Sequence, residues 1–204
     1  MKLARIAALV LVPMLTLTAQ ASAAPQTITF KCKATALGQS AEFNLDQVID
    51  ATAPETVAPN GSVKVTADPA PDKMPAEASG YQVVEVKGLA LRVPIPGNSK
   101  FQSASLEGGS GLNSTPTIGL EGNNVVLRVP GPIKGGADYE LPTVTVVLQA
   151  GGTGQIVTKL GGTGFDNPGL TFVATIIAFG FRVDANAGGY PDPSPVLTTT
   201  TISG

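Results

Sequence analysis

The chain of 204 residues contains no histidine, no tryptophan and a single cysteine, Cys32. Without histidine, the Ser-His-Asp triad, Cys-His pairs and imidazole-bound zinc or iron are excluded. One cysteine also excludes a thiolate cluster and a disulfide within the chain. We therefore assign no catalytic residue, no cofactor-binding residue and no metal ligand, and we expect a protein that is not an enzyme and has no cofactor.

Charged residues are also scarce, at 14% of the chain, and the Lys and Arg residues are scattered rather than clustered. Proteins that bind nucleic acid carry a basic patch or stripe, and proteins held electrostatically to anionic membranes carry clusters of basic residues. This sequence has neither, so we expect no nucleic-acid partner and no electrostatic attachment to a membrane.

The first 23 residues have the three-part layout of a secretory signal peptide. Lys2 and Arg5 form the positive start, residues 6–18 are almost wholly apolar, and Ala21-Ser22-Ala23 is a small-residue cleavage pattern. The apolar run is shorter than the roughly 20 residues that a membrane-spanning helix requires. Cleavage after Ala23 would leave 181 residues with 11 Lys and Arg against 15 Asp and Glu, a net charge of −4. We predict a secreted or cell-envelope protein with no transmembrane segment after cleavage.

Residues 24–204 show the pattern of short β-strands joined by turns. In residues 27–35 apolar side chains alternate with polar ones, which is typical of a half-buried strand. Segments such as Asn60-Gly61 and Glu121–Asn124 are typical of tight turns. About ten such strands, spaced by roughly 8 to 12 residues, predict an all-β fold, an antiparallel β-sandwich of the immunoglobulin-like type. We interpret residues 24–204 as one sandwich domain, with a subdivision near residues 68–80 as an alternative.

Four local features carry specific expectations. Residues 68–80 are rich in proline, alanine and acidic side chains, which predicts a mobile loop. Gly88 predicts a bulge or a turn. The stretch Leu170–Val183 is apolar on both faces, which predicts one central strand covered on both sides. The tetrapeptide Leu91–Pro94 recurs as Leu127–Pro130, which we interpret as two strand ends stopped by proline.

Three weaker motifs could bind a ligand or carry out hydrolysis. Asp166-Asn167 offers oxygen ligands for calcium, but the pattern of a calcium loop is absent, so we expect an Asx turn. The Gly-Gly-Thr-Gly segments at 151–154 and 161–164 lack the lysine of a phosphate loop, so we expect strand connections. Carboxylates are numerous enough for a glycosidase, but no spacing marks a catalytic pair.

Cys32 lies on the apolar face of the first predicted strand, together with Ile28 and Phe30. This position predicts a buried and inert thiol. The alternative is an exposed thiol, for which Cys32 would form an intermolecular disulfide and link two copies as a homodimer.

Several segments carry a resemblance to known proteins. They are Gly88–Pro94, Val129–Ile133, Leu141–Val144, Asp166–Phe172 and Pro193–Thr201. Through them the chain resembles a group of uncharacterised secreted β-sandwich proteins of high-GC Gram-positive bacteria, over most of residues 24–204. Members are often labelled dehydratase or cyclase without visible catalytic residues, so the resemblance implies fold and export but little about activity. It also implies a second cysteine just before the segment that starts at Tyr190, able to pair with Cys32, where this chain has Gly188-Gly189.

Three functions are consistent with these observations. The leading hypothesis is a non-catalytic envelope or extracellular module that acts by surface contact, as an adhesive, structural or binding protein, on an envelope or extracellular partner of unknown identity. The alternative is a carrier that holds an apolar or lipid-like ligand between the sheets, suggested by the low charge and by Leu170–Val183. The third is a hydrolase that depends on carboxylates.

Overall fold

The computed structural model describes residues 20–22 and 24–204, and over these residues the protein consists of eighteen β-strands and their connections. The strands are β1 (Gln20–Ser22), β2 (Gln26–Ala36), β3 (Gln39–Pro54), β4 (Thr56–Val57), β5 (Ser62–Pro69), β6 (Asp72–Lys73), β7 (Glu77–Ala78), β8 (Tyr81–Pro94), β9 (Ser99–Glu107), β10 (Thr117–Glu121), β11 (Asn124–Val129), β12 (Ile133–Lys134), β13 (Asp138–Tyr139), β14 (Thr143–Ala150), β15 (Gly154–Thr158), β16 (Leu170–Ala178), β17 (Phe181–Pro191) and β18 (Thr198–Ile202). No helix in this part of the chain is long and apolar enough to cross a membrane.

Ten strands follow one another in a single large antiparallel sheet, in the order β10-β11-β8-β16-β17-β2-β3-β5-β14-β9. The sheet curves until its two ends, β10 and β9, come close together. One half therefore faces the other, and Val65 and Val146 border the same interior space as Leu91 and Leu127. The predicted all-β sandwich is confirmed, with the difference that both layers belong to one continuous sheet.

The two ends of this sandwich differ. At one end the small sheet β15-β18-β4 packs on the core through Ile156, Leu197 and Ile202, all of them buried. The hydroxyl of Thr200 donates to the carbonyl oxygen of Pro54 at 2.7 Å and ties this sheet to the end of β3. At the opposite end the large sheet finishes in tight hairpin turns. We call these the closed end and the hairpin end.

Alternation along each strand decides which side chains enter the core. In β2, Ile28, Phe30 and Cys32 are buried while the residues between them are at least partly exposed. In β14, Val144, Val146 and Leu148 are buried in the same way. A period of two places alternate side chains on opposite faces of a sheet, so each strand supplies one row to the interior.

Two sequence predictions on this sheet are confirmed. Gly88 has a φ of 62°, and the pairing of β8 with β16 shifts by one residue next to it, as a bulge requires. The hairpin at Glu121–Asn124 joins β10 to β11. The repeated tetrapeptides lie in the adjacent strands β8 and β11, where Leu91 pairs with Leu127.

The prediction of a single strand over Leu170–Val183 was wrong. The chain reverses at Phe179-Gly180, and β16 and β17 form an antiparallel hairpin in which Ala178 pairs with Phe181. The apolar run misled because the buried strand β16 is followed without a polar break by Phe179 and Phe181, which are apolar but exposed. A glycine with positive φ, Gly180, was the turn signal within it.

Residues 68–80 contain structure that their composition did not predict. The short strands β6 and β7 lie here and pair with β13 and β8. Met74 is buried in the core, and the amide of Gln47 donates to the carbonyl oxygen of Ala70 at 2.9 Å. The segment therefore forms part of the wall of the sandwich, with strands of the large sheet before and after it.

The predicted signal peptide, residues 1–23, lies outside the described residues apart from Gln20–Ser22. Those three residues form β1, which pairs with Thr52–Pro54 of β3. They precede the predicted cleavage point after Ala23.

Candidate ligand-binding cavity

A cavity of about 290 Å³ lies between the two halves of the large sheet. Phe43 and Leu45 of β3 line it on one side, and Val86 of β8 and Phe172 of β16 line it on another. Protein interiors are close-packed, with few voids larger than a water molecule. This space opens to solvent on the side of Asn44, Asp46 and Lys73, and its volume lies at the lower edge of the range of about 300 to 1,000 Å³ that is typical of small-molecule sites.

The walls of this cavity are almost wholly apolar. The rings of Phe43 and Phe172 meet edge to face, with their centroids 6.5 Å apart. Met74 and Leu141 add further buried apolar surface. Polar side chains occur at its border, on Asn44, Asp46, Gln47, Asp72 and Lys73. The arrangement suits a molecule with an apolar chain and a polar end.

Tyr139 is the aromatic residue of the wall that carries a polar group. It lies opposite Asp72 in the pair of β13 with β6. Burial, then the negative charge of Asp72 and a hydrogen bond to it, raise the pKa of Tyr139 to about 12. The phenol therefore stays neutral at physiological pH, and it contributes neither a charge nor a general base to the cavity.

A second cavity of about 180 Å³ lies at the hairpin end. Its lining includes Leu37, Tyr81 and Phe179, which belong to the hairpin turns or stand next to them. Phe43, Ala78, Val83 and Ala174 line both cavities. The two spaces are therefore neighbours across a shared apolar wall, and together they lead from the middle of the sandwich to its hairpin end.

Cys32 is fully buried, as its place in the alternating strand predicted. Burial raises the pKa of the thiol to about 12, so it is protonated and unreactive at neutral pH. An intermolecular disulfide at Cys32 stays a prediction, and it would require β2 and β17 to separate locally.

Two acidic side chains form separate surface contacts that lower their pKa values. Asp184 accepts hydrogen bonds from the Thr175 hydroxyl at 2.6 Å and from Lys87 at 3.2 Å, and these bonds lower the pKa of Asp184. Arg128 donates twice to Glu121 and lowers the pKa of that carboxyl. Within the described residues, no three acidic or cysteine side chains come together as a metal site.

The Asp166-Asn167 segment forms a tight turn. The backbone amide of Thr163 donates to the carbonyl oxygen of Asn167 at 3.0 Å, and the side-chain amide of Asn167 donates to the Thr163 hydroxyl at 3.1 Å. The asparagine amide is therefore used within the turn.

The sequence raised an apolar ligand between the sheets as an alternative, on the ground of Leu170–Val183, but it did not locate the cavity. Its lining includes residues 43–49 of β3 and residues 69–75, which lie in the segment predicted to be a mobile loop. The available signal was the apolar pair Met74-Pro75 inside an otherwise polar stretch. An apolar residue within a loop-like segment often covers a core, but sequence does not show that the core beneath it is hollow.

No family model matches this chain, and no curated protein matches it. Among solved structures, the fold is similar to a protein of Corynebacterium diphtheriae that is described as membrane anchored, with a TM-score of 0.55 and 15% sequence identity. The similarity covers 88% of this chain but only 37% of the other, so this chain spans little more than a third of that protein's length. At this identity the likeness shows the fold alone. Corynebacterium diphtheriae is a high-GC Gram-positive bacterium, as are the sources of the secreted β-sandwich proteins that this sequence resembles.

Proposed function

We propose that this protein is a non-catalytic envelope or extracellular protein that binds an apolar chain in its interior. The observation that carries the proposal is the cavity of about 290 Å³ lined by Phe43, Leu45, Val86 and Phe172. A sandwich of this size normally fills its interior with side chains, because each void forfeits packing energy. An apolar space of this volume therefore favours the carrier hypothesis over a solid surface-contact module.

The polarity of the cavity narrows the ligand class. The interior offers no buried charge to pair with a charged group, and burying an unpaired charge is costly. The charged and amide side chains stand at the border, near Asp46 and Lys73. A single-chain amphiphile such as a fatty acid or a lysolipid fits this division, with its chain inside and its polar end at the border.

An envelope location has support from two directions. The predicted signal peptide implies export. The structural neighbour is described as membrane anchored. An exported carrier needs no catalytic group, in keeping with the absence of histidine.

The first test is native mass spectrometry of the protein purified from its own host's culture medium. We expect added mass that disappears after organic extraction. The extracted protein should then bind dansyl-undecanoic acid, a fluorescent fatty acid, saturably and at one molecule per chain. A bare mass together with no saturable binding would refute the proposal.

A cavity-filling variant tests where the ligand lies. Ala174 is buried and lines both cavities, so Ala174→Leu should reduce fatty-acid affinity by about tenfold or more as the larger side chain occupies the space. Val173→Leu is the matched control, since the neighbouring residue points to the other face of β16. Equal affinity of both variants and the wild type would place the ligand elsewhere.

A further inference from the structure

Three two-residue turns stand side by side at the hairpin end. They join β7 to β8, β16 to β17 and β2 to β3, and these six strands are consecutive neighbours in the sheet. Each turn follows the pattern Ala-Xaa-Gly, as Ala36-Leu37-Gly38, Ala78-Ser79-Gly80 and Ala178-Phe179-Gly180. We call these the three tips.

At two of the tips the backbone conformation favours residues other than the ones present. Leu37 and Phe179 each have a φ of 51°, and the glycine after each is also positive. Turns with two positive φ values strongly prefer asparagine or aspartate at the first position, because a bulky side chain is strained there. Leucine and phenylalanine thus occupy positions that cost folding energy.

These side chains gain little burial in return. Leu37 is 70% exposed and Phe179 is 85% exposed, while Phe181, next to the same tip, is 73% exposed. Tyr81 beside the Ser79 tip is 39% exposed. Large apolar side chains held out by a strained backbone are explained when something outside the chain covers them.

Charge is absent from the tips and begins directly behind them. Residues 36–39, 78–81 and 178–181 carry no charged side chain. Behind the Ser79 and Phe179 tips the first charges are Glu77 and Arg182, which share one row across the sheet through Gln82 and Ile177. Behind the Leu37 tip the first charges are Lys33 and Glu42, which pair with each other. An apolar layer followed by a row with both signs of charge matches the order of hydrocarbon and headgroups at the surface of a bilayer.

We propose that the Ser79 and Phe179 tips dock the protein on a lipid bilayer, with Phe179 and Phe181 inserted and Tyr81 at the headgroup level, while the Leu37 tip stays on the protein side of the charged row. Phe179 and Ser79 are level in register, and the last pair of the Leu37 tip lies about four residues lower, so the β7–β8 and β16–β17 hairpins reach furthest. Attachment rests on apolar burial, and so it agrees with the lack of basic clusters noted in the sequence. A second copy of the chain is the competing occupant.

Docking here would place a lipid next to the interior. The second cavity opens among Leu37, Tyr81 and Phe179 and shares its inner wall with the larger cavity. An apolar chain could then pass between bilayer and protein without crossing water. This consequence rests on the proposed function, whereas the docking itself does not.

The lack of tryptophan provides a clean probe. In Phe179→Trp the only indole reports the environment of the tip, and Leu120→Trp serves as the control, since Leu120 is 47% exposed at a different turn. With phosphatidylcholine vesicles, we expect a blue shift and quenching by brominated lipid for Trp at 179 and neither for Trp at 120. High salt should not release the protein.

A loss-of-binding variant completes the test. Phe179→Asn should lower the vesicle partition coefficient by about tenfold, the value of one buried phenylalanine. Asparagine suits the turn, so the variant should stay folded and melt no lower than the wild type. No blue shift at position 179, or binding only to anionic vesicles with release by salt, would overturn the proposal. A blue shift that depends on protein concentration without vesicles would assign the tips to a second copy and would also overturn it.

Fatty-acid binding by the wild type and insertion of Trp at position 179 together separate this proposal from the function proposed above. Saturable fatty-acid binding in solution without insertion of the tip would leave the cavity function standing and remove the docking. Insertion without fatty-acid binding would do the reverse.

Discussion

Gly189→Cys should create a disulfide with Cys32 and strengthen the protein substantially. Gly189 of β17 pairs with Cys32 of β2. A Cβ atom built on Gly189 would lie 2.5 Å from the Cys32 sulfur and 3.1 Å from the carbonyl oxygen of Lys31. In a disulfide the Cβ of one cysteine lies about 3 Å from the sulfur of the other. The Cys32 sulfur therefore needs to move by only a few tenths of an ångström.

The expected magnitude follows from the length of chain that the bond would close. About 157 residues separate the two positions, and the loop-entropy relation for a closed loop of that length corresponds to about 5 kcal/mol. Engineered disulfides deliver less because of strain, so we expect about 3 kcal/mol. For a chain of this size that corresponds to a rise in Tm of about 6 to 12 °C, which reductant should abolish.

The assay combines mass, thiol titration and thermal unfolding. The oxidised variant should be lighter than its dithiol form by two hydrogens and should show no free thiol after denaturation. Gly188→Cys is the matched control, because its side chain faces Pro168 on the other side of the strand. If Gly189→Cys kept two free thiols under oxidising conditions, as Gly188→Cys should, the pairing of β17 with β2 deduced here would be incorrect.

Three further predictions concern stability. Burial raises the pKa of Cys32 from 9.0 and that of Tyr139 from 10.0, each to about 12, so the folded state is favoured while both groups are neutral. The free energy of unfolding should therefore stay constant from neutral pH to about pH 9 and should fall between pH 9 and 12. Measured by urea unfolding, the free energy of unfolding of Cys32→Ala should fall less over this pH range than that of the wild type. An equal fall would contradict the contribution assigned to Cys32. Phe179→Asn should raise the free energy of unfolding by about 0.5 to 1 kcal/mol through relief of the positive φ, and a decrease would argue against strain at that turn. Leu148→Ala, at a side chain 1% exposed, should cost about 2 to 5 kcal/mol, whereas Leu120→Ala at the surface should cost less than about 0.5 kcal/mol.

The errors in the sequence prediction came from segments where local pattern and tertiary role differ. The apolar run across Leu170–Val183 has no alternation at its centre, because two strands and their turn follow one another without a polar break. Residues 68–80 are polar and proline-rich, yet Met74 within them is buried by strands that are distant in sequence. Local composition cannot report contacts of that range.

The strand alternation, the glycine turns and the burial of Cys32 were decided by the sequence itself, since a period of two separates an inner from an outer face wherever a strand forms. The lack of histidine likewise excluded imidazole chemistry at once. Only the tertiary structure decided the curvature that brings Phe43 against Phe172 and the cavity beside these rings. It also decided the grouping of Leu37, Tyr81 and Phe179 at one end. Each depends on the order in which distant strands pair, and that order arises from the summed packing of the whole sheet rather than from any one segment.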